Sequence, residues 1–234
     1  MNSHRSPRGG RLLLGIFGLL ATATAAHAQS DDIPHGTLNV DRNMVRAGVN
    51  SQLDWNIEYP TGITEIVEIE TPNRIIPKKN VTMKVRVLGV AFQSGRTLLP
   101  LDAYWSKNNG SWSNFFYGTG PDVSPSKVLL EEEVEKGDYI DFGARGWSKD
   151  WLPFHHTRES DQYVIVLKNG DKAPDYAPAY DQGSVTSFLK PYIDAGGRVT
   201  IGERDLIVLW EASTAKPGST YFDMQDLVIL LTFE

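Results

Sequence analysis

The sequence predicts an all-β protein, an antiparallel β-sandwich of jelly-roll type, on three observations. Several short segments alternate apolar and polar residues, the period of a half-buried strand. Asn-Gly pairs sit between β-favouring residues, a hairpin signal. The 234 residues are punctuated by 21 glycines and 13 prolines, which leaves room for about ten strands and few helices.

The elements follow in chain order. Ile63 to Glu70 (ITEIVEIE) reads as a strand with its glutamates facing outward. Val81 to Val87 (VTMKVRV) alternates cleanly. Tyr104–Lys107 and Ser111–Ser113 flank Asn108-Asn109-Gly110 as the arms of a hairpin. Val128 to Lys136 (VLLEEEVEK) has helical propensity, yet the Gly137-Asp138 that follows favours turn then strand, with Tyr139–Phe142 as that strand. Tyr163–Leu167 runs into a turn at Lys168–Asp171. Ser184 to Pro191 suggests a turn or two of helix, capped by Ser184 and stopped by Pro191. Leu206–Trp210 and Leu227–Phe233 are continuous apolar runs, expected of central strands covered on both faces.

The N-terminus reads as a targeting segment. Arg5, Arg8 and Arg11 precede an apolar run from Leu12 to Leu20, and Ala26-His27-Ala28 has the small-x-small pattern of a secretory cleavage site. The apolar stretch is shorter than the ~20 residues a spanning helix needs, so residues 1–28 are expected to be removed on export. No later stretch is long and apolar enough to span. Residues 29–234 then form a single sandwich domain with a lead-in arm over 29–50, a split near Pro121–Pro125 being the alternative. The expected location is secreted, periplasmic or extracellular. With no cysteine, no disulfide holds the chain there. Removing residues 1–28, which carry three arginines and no acid, takes the net charge from −6 to −9. An acidic body of this kind argues against non-specific binding to nucleic acid or anionic membranes.

Candidate chemistry is sparse. No nucleophile elbow, phosphate loop, dinucleotide fingerprint or zinc-protease helix is present. His155-His156 is adjacent rather than two apart, so on a strand its rings would face opposite sides; a solvated loop is expected. Glu131-Glu132-Glu133 reads as a charged surface run. Aromatic residues are denser. Tyr104, Trp105, Trp112, Phe115, Phe116 and Tyr117 crowd around the Asn-Gly hairpin, and Trp147, Trp151 and Phe154 follow in one loop. Adjacent rings on a strand cannot all face one core. Trp105, Trp112 and Trp147 are therefore candidate ligand-binding residues for a glycan or an extracellular protein, the alternative being that these rings fill the core.

Near the C-terminus, Glu211 ends one apolar run, and Asp223 and Asp226 precede the other. If the two runs pair, three carboxylates converge at one sheet end, with Gln225 as a further oxygen donor. That set suits Ca²⁺, which takes six to eight oxygens. The alternative is that Asp223 or Asp226 caps the turn by accepting backbone N–H groups. Trp210-Glu211 and Asp223-Met224-Gln225-Asp226-Leu227-Val228 together resemble the end of certain bacterial secreted β-sandwich modules of unknown function, in which an aromatic-acid strand end leads through a loop to an Asp-x-Asn-Asp-(Val/Leu)-Val signature. Val166–Gly170 is similar to the strand and Asn-Gly upstream of it there. In this chain Ala212 stands at the second acid, and Met224 and Gln225 replace the aromatic and the asparagine.

The function expected is a secreted, non-enzymatic module, cation-stabilised, that binds a glycan or protein partner. A secreted carbohydrate-active enzyme and a structural envelope protein are the alternatives. A glycosidase would need two carboxyls roughly 5 to 9 Å apart across a cleft.

Overall fold

A computed structural model describes residues 35–40, 53–58, 61–159, 162–174 and 188–234. The described residues all lie within one unit of the chain, Asp31–Glu234. The expected export segment therefore lies outside the described residues, as does most of the expected helix from Ser184.

The described chain is all-β, and every strand pairing is antiparallel. In order the strands are β1 (His35–Val40), β2 (Leu53–Glu58), β3 (Val67–Glu70), β4 (Arg74–Pro77), β5 (Val81–Val90), β6 (Gln93–Ser94), β7 (Thr97–Leu98) and β8 (Leu101–Lys107). They continue as β9 (Ser113–Gly118), β10 (Leu130–Val134), β11 (Ile140–Ser148), β12 (Asp150–Trp151), β13 (His155–His156), β14 (Val164–Lys168), β15 (Asp205–Trp210) and β16 (Leu227–Phe233). One sheet has the order β10-β5-β16-β15-β14. A second has the order β3-β4-β11-β8-β9, with β12 and β13 as short additions to β11. Among the described residues β1 pairs only with β2, and β6 only with β7.

Both main sheets contribute to one apolar core. Met83, Val85 and Val87 of β5, Val208 and Trp210 of β15, and Ile229 and Phe233 of β16 meet Ile75, Leu101, Ile140 and Phe142 of the other sheet. The continuous apolar runs are explained by a second, smaller core on the far side of the first sheet. There Ile207, Leu209, Val228 and Leu230 pack with Leu189, Val199, Phe222 and Met224. β15 and β16 are thus buried on both faces, and no alternation survives in them.

Several local expectations change. Ile63–Ile66 forms one helical turn, α1, and the strand begins only at Val67. Ile63 and Ile66 are both buried, which a helical turn allows at i and i+3 and strand alternation would not. The hairpin turn is centred on Asn108 and Asn109, at φ 54° and 59°, with Gly110 N–H donating to the Lys107 carbonyl at 2.9 Å. Two asparagines in the left-handed region make the primed turn that hairpins favour, so Gly110 lies just past it. β9 accordingly starts at Ser113, beyond Ser111 and Trp112. Residues 188 and 189 are helical and pass directly into a 3₁₀ turn, Lys190–Tyr192, that contains Pro191.

His155-His156 is not a solvated loop. It is β13, half-buried against β11 at Ala144 and Gly143. By contrast the middle of Val128–Lys136 forms an edge strand, β10 (Leu130–Val134), because burying Val134 and pairing with β5 outweigh its helical propensity. Among the described residues no helix is long and apolar enough to cross a membrane.

Candidate functional site

Two places carry chemistry. The first is the face of the second sheet turned away from the core. Strand alternation sends Leu101, Ala103 and Trp105 of β8 inward and Asp102, Tyr104 and Ser106 outward. On β11, Ile140, Phe142 and Ala144 go inward and Asp141, Gly143 and Arg145 outward. Tyr104 lies opposite Gly143, and Asp102 opposite Arg145.

Gly143 makes the ring cluster possible. A Cβ there would stand 2.4 Å from Phe154 Cζ, so only glycine lets that ring lie down on the sheet. Phe154 then meets Tyr104 edge-to-face at 5.6 Å and Trp112 at 4.9 Å. These three rings and Arg145 line a slot of about 280 Å³. The Arg145 guanidinium lies 4.2 Å from the Trp151 ring centre, and Trp151 meets Trp147 edge-to-face at 5.1 Å. Trp112, Phe154, Tyr104, Arg145, Trp151 and Trp147 therefore form one continuous strip. Trp147 and Trp151 are exposed, at 37% and 39%.

Beneath the strip three arginines share two aspartates. Asp102 accepts from Tyr104 Oη at 2.9 Å and from Arg145 Nη2 at 3.4 Å. Desolvation, followed by the hydrogen bond to Asp102, raises the Tyr104 phenol above its ordinary value. Asp141 is fully buried and takes a bidentate pair from Arg74, at 3.0 and 2.8 Å, and a third bond from Arg158 Nε at 2.7 Å. The hydrogen bond that Arg74 donates to Asp141 raises the Arg74 guanidinium further. Arg158 in turn covers the Trp112 ring at 4.4 Å.

Of the three tryptophans singled out by sequence, Trp112 walls the slot and Trp147 ends the strip. Trp105 is directed inward opposite Phe142 and packs on the core. Sequence reasoning passed over Arg145, Arg158, Asp102 and Asp141. The available signal was alternation: Asp102-x-Tyr104-x-Ser106 and Asp141-x-Gly143-x-Arg145 are the polar phases of strands whose other phase is apolar.

The second place is the end of β15 and the start of β16, which pair with Trp210 opposite Leu227. That pairing brings together Glu211, Asp223 and Asp226, all buried, at 1%, 1% and 4% exposure. Each acid accepts hydrogen bonds. Glu211 Oε2 takes the Asp223 N–H at 3.0 Å, and Oε1 takes the Ser213 N–H at 3.2 Å together with its hydroxyl. Asp226 Oδ2 takes the Ala212 N–H at 2.6 Å. Asp223 Oδ2 takes Gln225 Nε2 at 2.7 Å, while Gln225 Oε1 is buried and meets no donor among the described residues.

Burial first, then the charges of Glu211 and Asp223, push the Asp226 carboxyl well above the usual carboxylate range, and it shares a hydrogen bond with Glu211. The three acids stand at a cavity of about 340 Å³ that Phe92, Tyr221 and Ser94 also line. Among the described residues no three His, Asp or Glu side chains stand ready-made to hold a metal ion. The carboxyls are instead turned toward backbone N–H groups and toward one another. Asp205, at the far end of β15, takes no part.

Comparison with protein-family models, with curated proteins and with solved structures finds no match for this chain.

Proposed function

We propose that this chain is a secreted, non-enzymatic β-sandwich of jelly-roll type that binds a glycan on the outer face of its second sheet. The observation that carries the reading is the strip from Trp112 to Trp147. Three rings and a guanidinium make an open slot, and two exposed tryptophans extend it along the sheet. Flat apolar faces with a few fixed polar groups suit the faces of sugar rings. The sandwich is supported by the core that both sheets share. The arginine-led apolar start of the sequence supports export.

In this reading Glu211, Asp223 and Asp226 hold Ca²⁺ that fastens the loop between β15 and β16. The support is a set of hard oxygens together with the buried Gln225 Oε1, an acceptor that lacks a donor. Binding requires Asp226 to give up its proton and the carboxylates to turn from their N–H partners, so affinity rises with pH.

An enzyme is the second reading, favoured by a carboxyl of raised pKa at a 340 Å³ cavity. Against it, Glu211 and Asp226 hydrogen-bond each other directly, whereas glycosidase carboxyls stand roughly 5 to 9 Å apart.

Electrophoresis of the mature protein through gels containing soluble polysaccharides tests the binding reading. Retardation by one or more polymers is expected, weakened at least tenfold in Trp112→Ala and Trp147→Ala, with little change in melting temperature in Trp147→Ala, whose ring is exposed. A wild-type protein that runs freely through every polymer but is captured by an extracellular protein overturns the glycan assignment. Release of reducing sugar, lost in Asp226→Asn, would establish the enzyme instead.

A further inference from the structure

Resting on the glycan reading of the same face, we infer that the strip is two subsites a fixed distance apart, and that its ligand is a linear oligosaccharide long enough to occupy both at once. One subsite is the slot of Tyr104, Trp112 and Phe154 over Gly143. The other is the exposed pair Trp147 and Trp151. Phase within β11 puts them on one face. Ala144 faces the core, and a Cβ at Gly146 would stand 2.2 Å from Phe92 Cε1, a ring of that core. Gly143, Arg145 and Trp147 are the opposite phase and point outward. Trp151 lies opposite Trp147 across the β11–β12 pairing and so joins it on that side. From Gly143 to Trp147 the strand advances four residues, about 13 Å at ~3.3 Å per residue.

That separation sets the length of the ligand. A pyranose is close in size to one aromatic ring, so a single sugar covers the slot or the tryptophan pair and never both. A span of about 13 Å is bridged by a linear chain of roughly three or four sugars. The ground between the subsites is filled. The Arg145 guanidinium lies 5.6 Å from the Tyr104 ring centre and 4.2 Å from that of Trp151, and Asp102 and Tyr104 Oη hold it. A chain crossing from one subsite to the other therefore runs over a packed side chain. Both subsites stand on one strand of a sheet whose other face is core, so their spacing is set before the ligand arrives. The second contact of a bound chain is then intramolecular and costs little further ordering. Under that condition two weak sites gain roughly 10²–10⁴-fold in joint affinity.

The test titrates the mature chain by calorimetry with cello-, xylo-, manno- and galacturono-oligosaccharides of two to eight units, and with the parent polymers. In a series that binds, affinity is expected to rise about a hundredfold between two and six units and then level off. A single site gives much less, because added units supply only overlapping registers, roughly fivefold for a hexamer over a dimer. Trp147→Ala removes a ring from the second subsite and should flatten the rise to that few-fold level; its ring being exposed, the variant keeps its fold. A rise no steeper than the register count overturns the inference and leaves glycan binding intact. So does a steep rise that survives in Trp147→Ala, or a polymer that binds while its octamer does not. Failure of the wild type to bind any oligomer or polymer overturns the glycan reading and this inference with it. The wild-type length series needs no variant, so it decides the matter by itself.

Discussion

Replacing Asp226 by asparagine separates a metal site from a capped turn. In the wild type the folded chain holds the Asp226 proton because of burial, and then because of Glu211 and Asp223; the unfolded chain releases it near the ordinary aspartate value of 3.8. A raised carboxyl of this kind contributes stability that is fully present below that pH and is lost as pH rises through the folded value. Metal-free wild type should therefore lose melting temperature on going from acid toward neutral pH. Asp226→Asn should remove this decline, because an amide can still accept from Ala212 and donate to Glu211 without any proton to lose. Asp226→Ala should behave differently, leaving the buried Ala212 N–H without an acceptor at a cost of about 1–3 kcal/mol. With Ca²⁺ at ten times its dissociation constant the wild type should gain about 1.4 kcal/mol, roughly 3–6 °C for a domain of this size. That gain should grow with pH as Asp226 deprotonates, and should vanish in Asp226→Asn and Asp223→Asn but persist in Asp205→Asn. Differential scanning fluorimetry from pH 4 to 8, with EDTA or millimolar Ca²⁺, measures all of it. A wild-type melting temperature indifferent to Ca²⁺ at pH 8 would refute the metal assignment and leave the acids as turn caps.

Asp141→Ala should cost about 3 kcal/mol, the low end for breaking a buried ion pair, since Arg74 and Arg158 keep partial exposure and can recover some hydration; urea denaturation checks it. Gly143→Ala should drive Phe154 off the sheet, at about 1–3 kcal/mol of overpacking, and abolish polysaccharide retardation while the fold persists by circular dichroism. Trp105→Ala should destabilise by roughly 3–5 kcal/mol, as a ring packed on the core. The exposed Trp147 should cost far less on truncation, a contrast that thermal melts of the two variants can establish.

The fold was legible where one physical rule dominated. Val81–Val87 alternates because one face of that stretch meets the shared core, and Leu227–Phe233 does not because both of its faces are covered. Ile63–Ile66 misled because its β-branched residues favour a strand, while burial of both isoleucines selects a helical turn. The acid cluster was legible because two apolar runs with acids at facing ends must converge once they pair. Its hydrogen-bonded, proton-sharing state was not, since that depends on how far each carboxyl is desolvated. The aromatic strip was half legible. Composition revealed too many rings for one face, but which rings turn outward depends on phase within β8 and β11. The floor of arginines and aspartates arises from pairings between residues far apart in sequence, such as Arg74 with Asp141.

The two sites are mechanically joined, which leads to a last expectation. Trp210, next to Glu211, donates its indole N–H to the His155 carbonyl at 3.2 Å. The Glu211 N–H itself bonds the Tyr163 carbonyl at 2.9 Å, and the Tyr163 ring stacks on His155 at 4.1 Å. His155 lies between Phe154 and His156, the residues that press on Gly143 beneath the slot. Ordering the end of β15 with Ca²⁺ should therefore hold the segment that carries Phe154 more firmly against the sheet. Polysaccharide affinity should rise in Ca²⁺ relative to EDTA, by a factor of about five or more if the coupling is as large as typical linked sites. Because the linkage is reciprocal, a saturating polymer should raise Ca²⁺ affinity by the same factor. Trp210→Phe keeps a ring in the core and removes only the indole donor, so it should preserve both bindings and shrink the coupling. Calorimetric titration of polymer with and without Ca²⁺, and of Ca²⁺ with and without polymer, closes the cycle. Equal polymer affinity in Ca²⁺ and EDTA would show that the two sites act independently, whatever each of them binds.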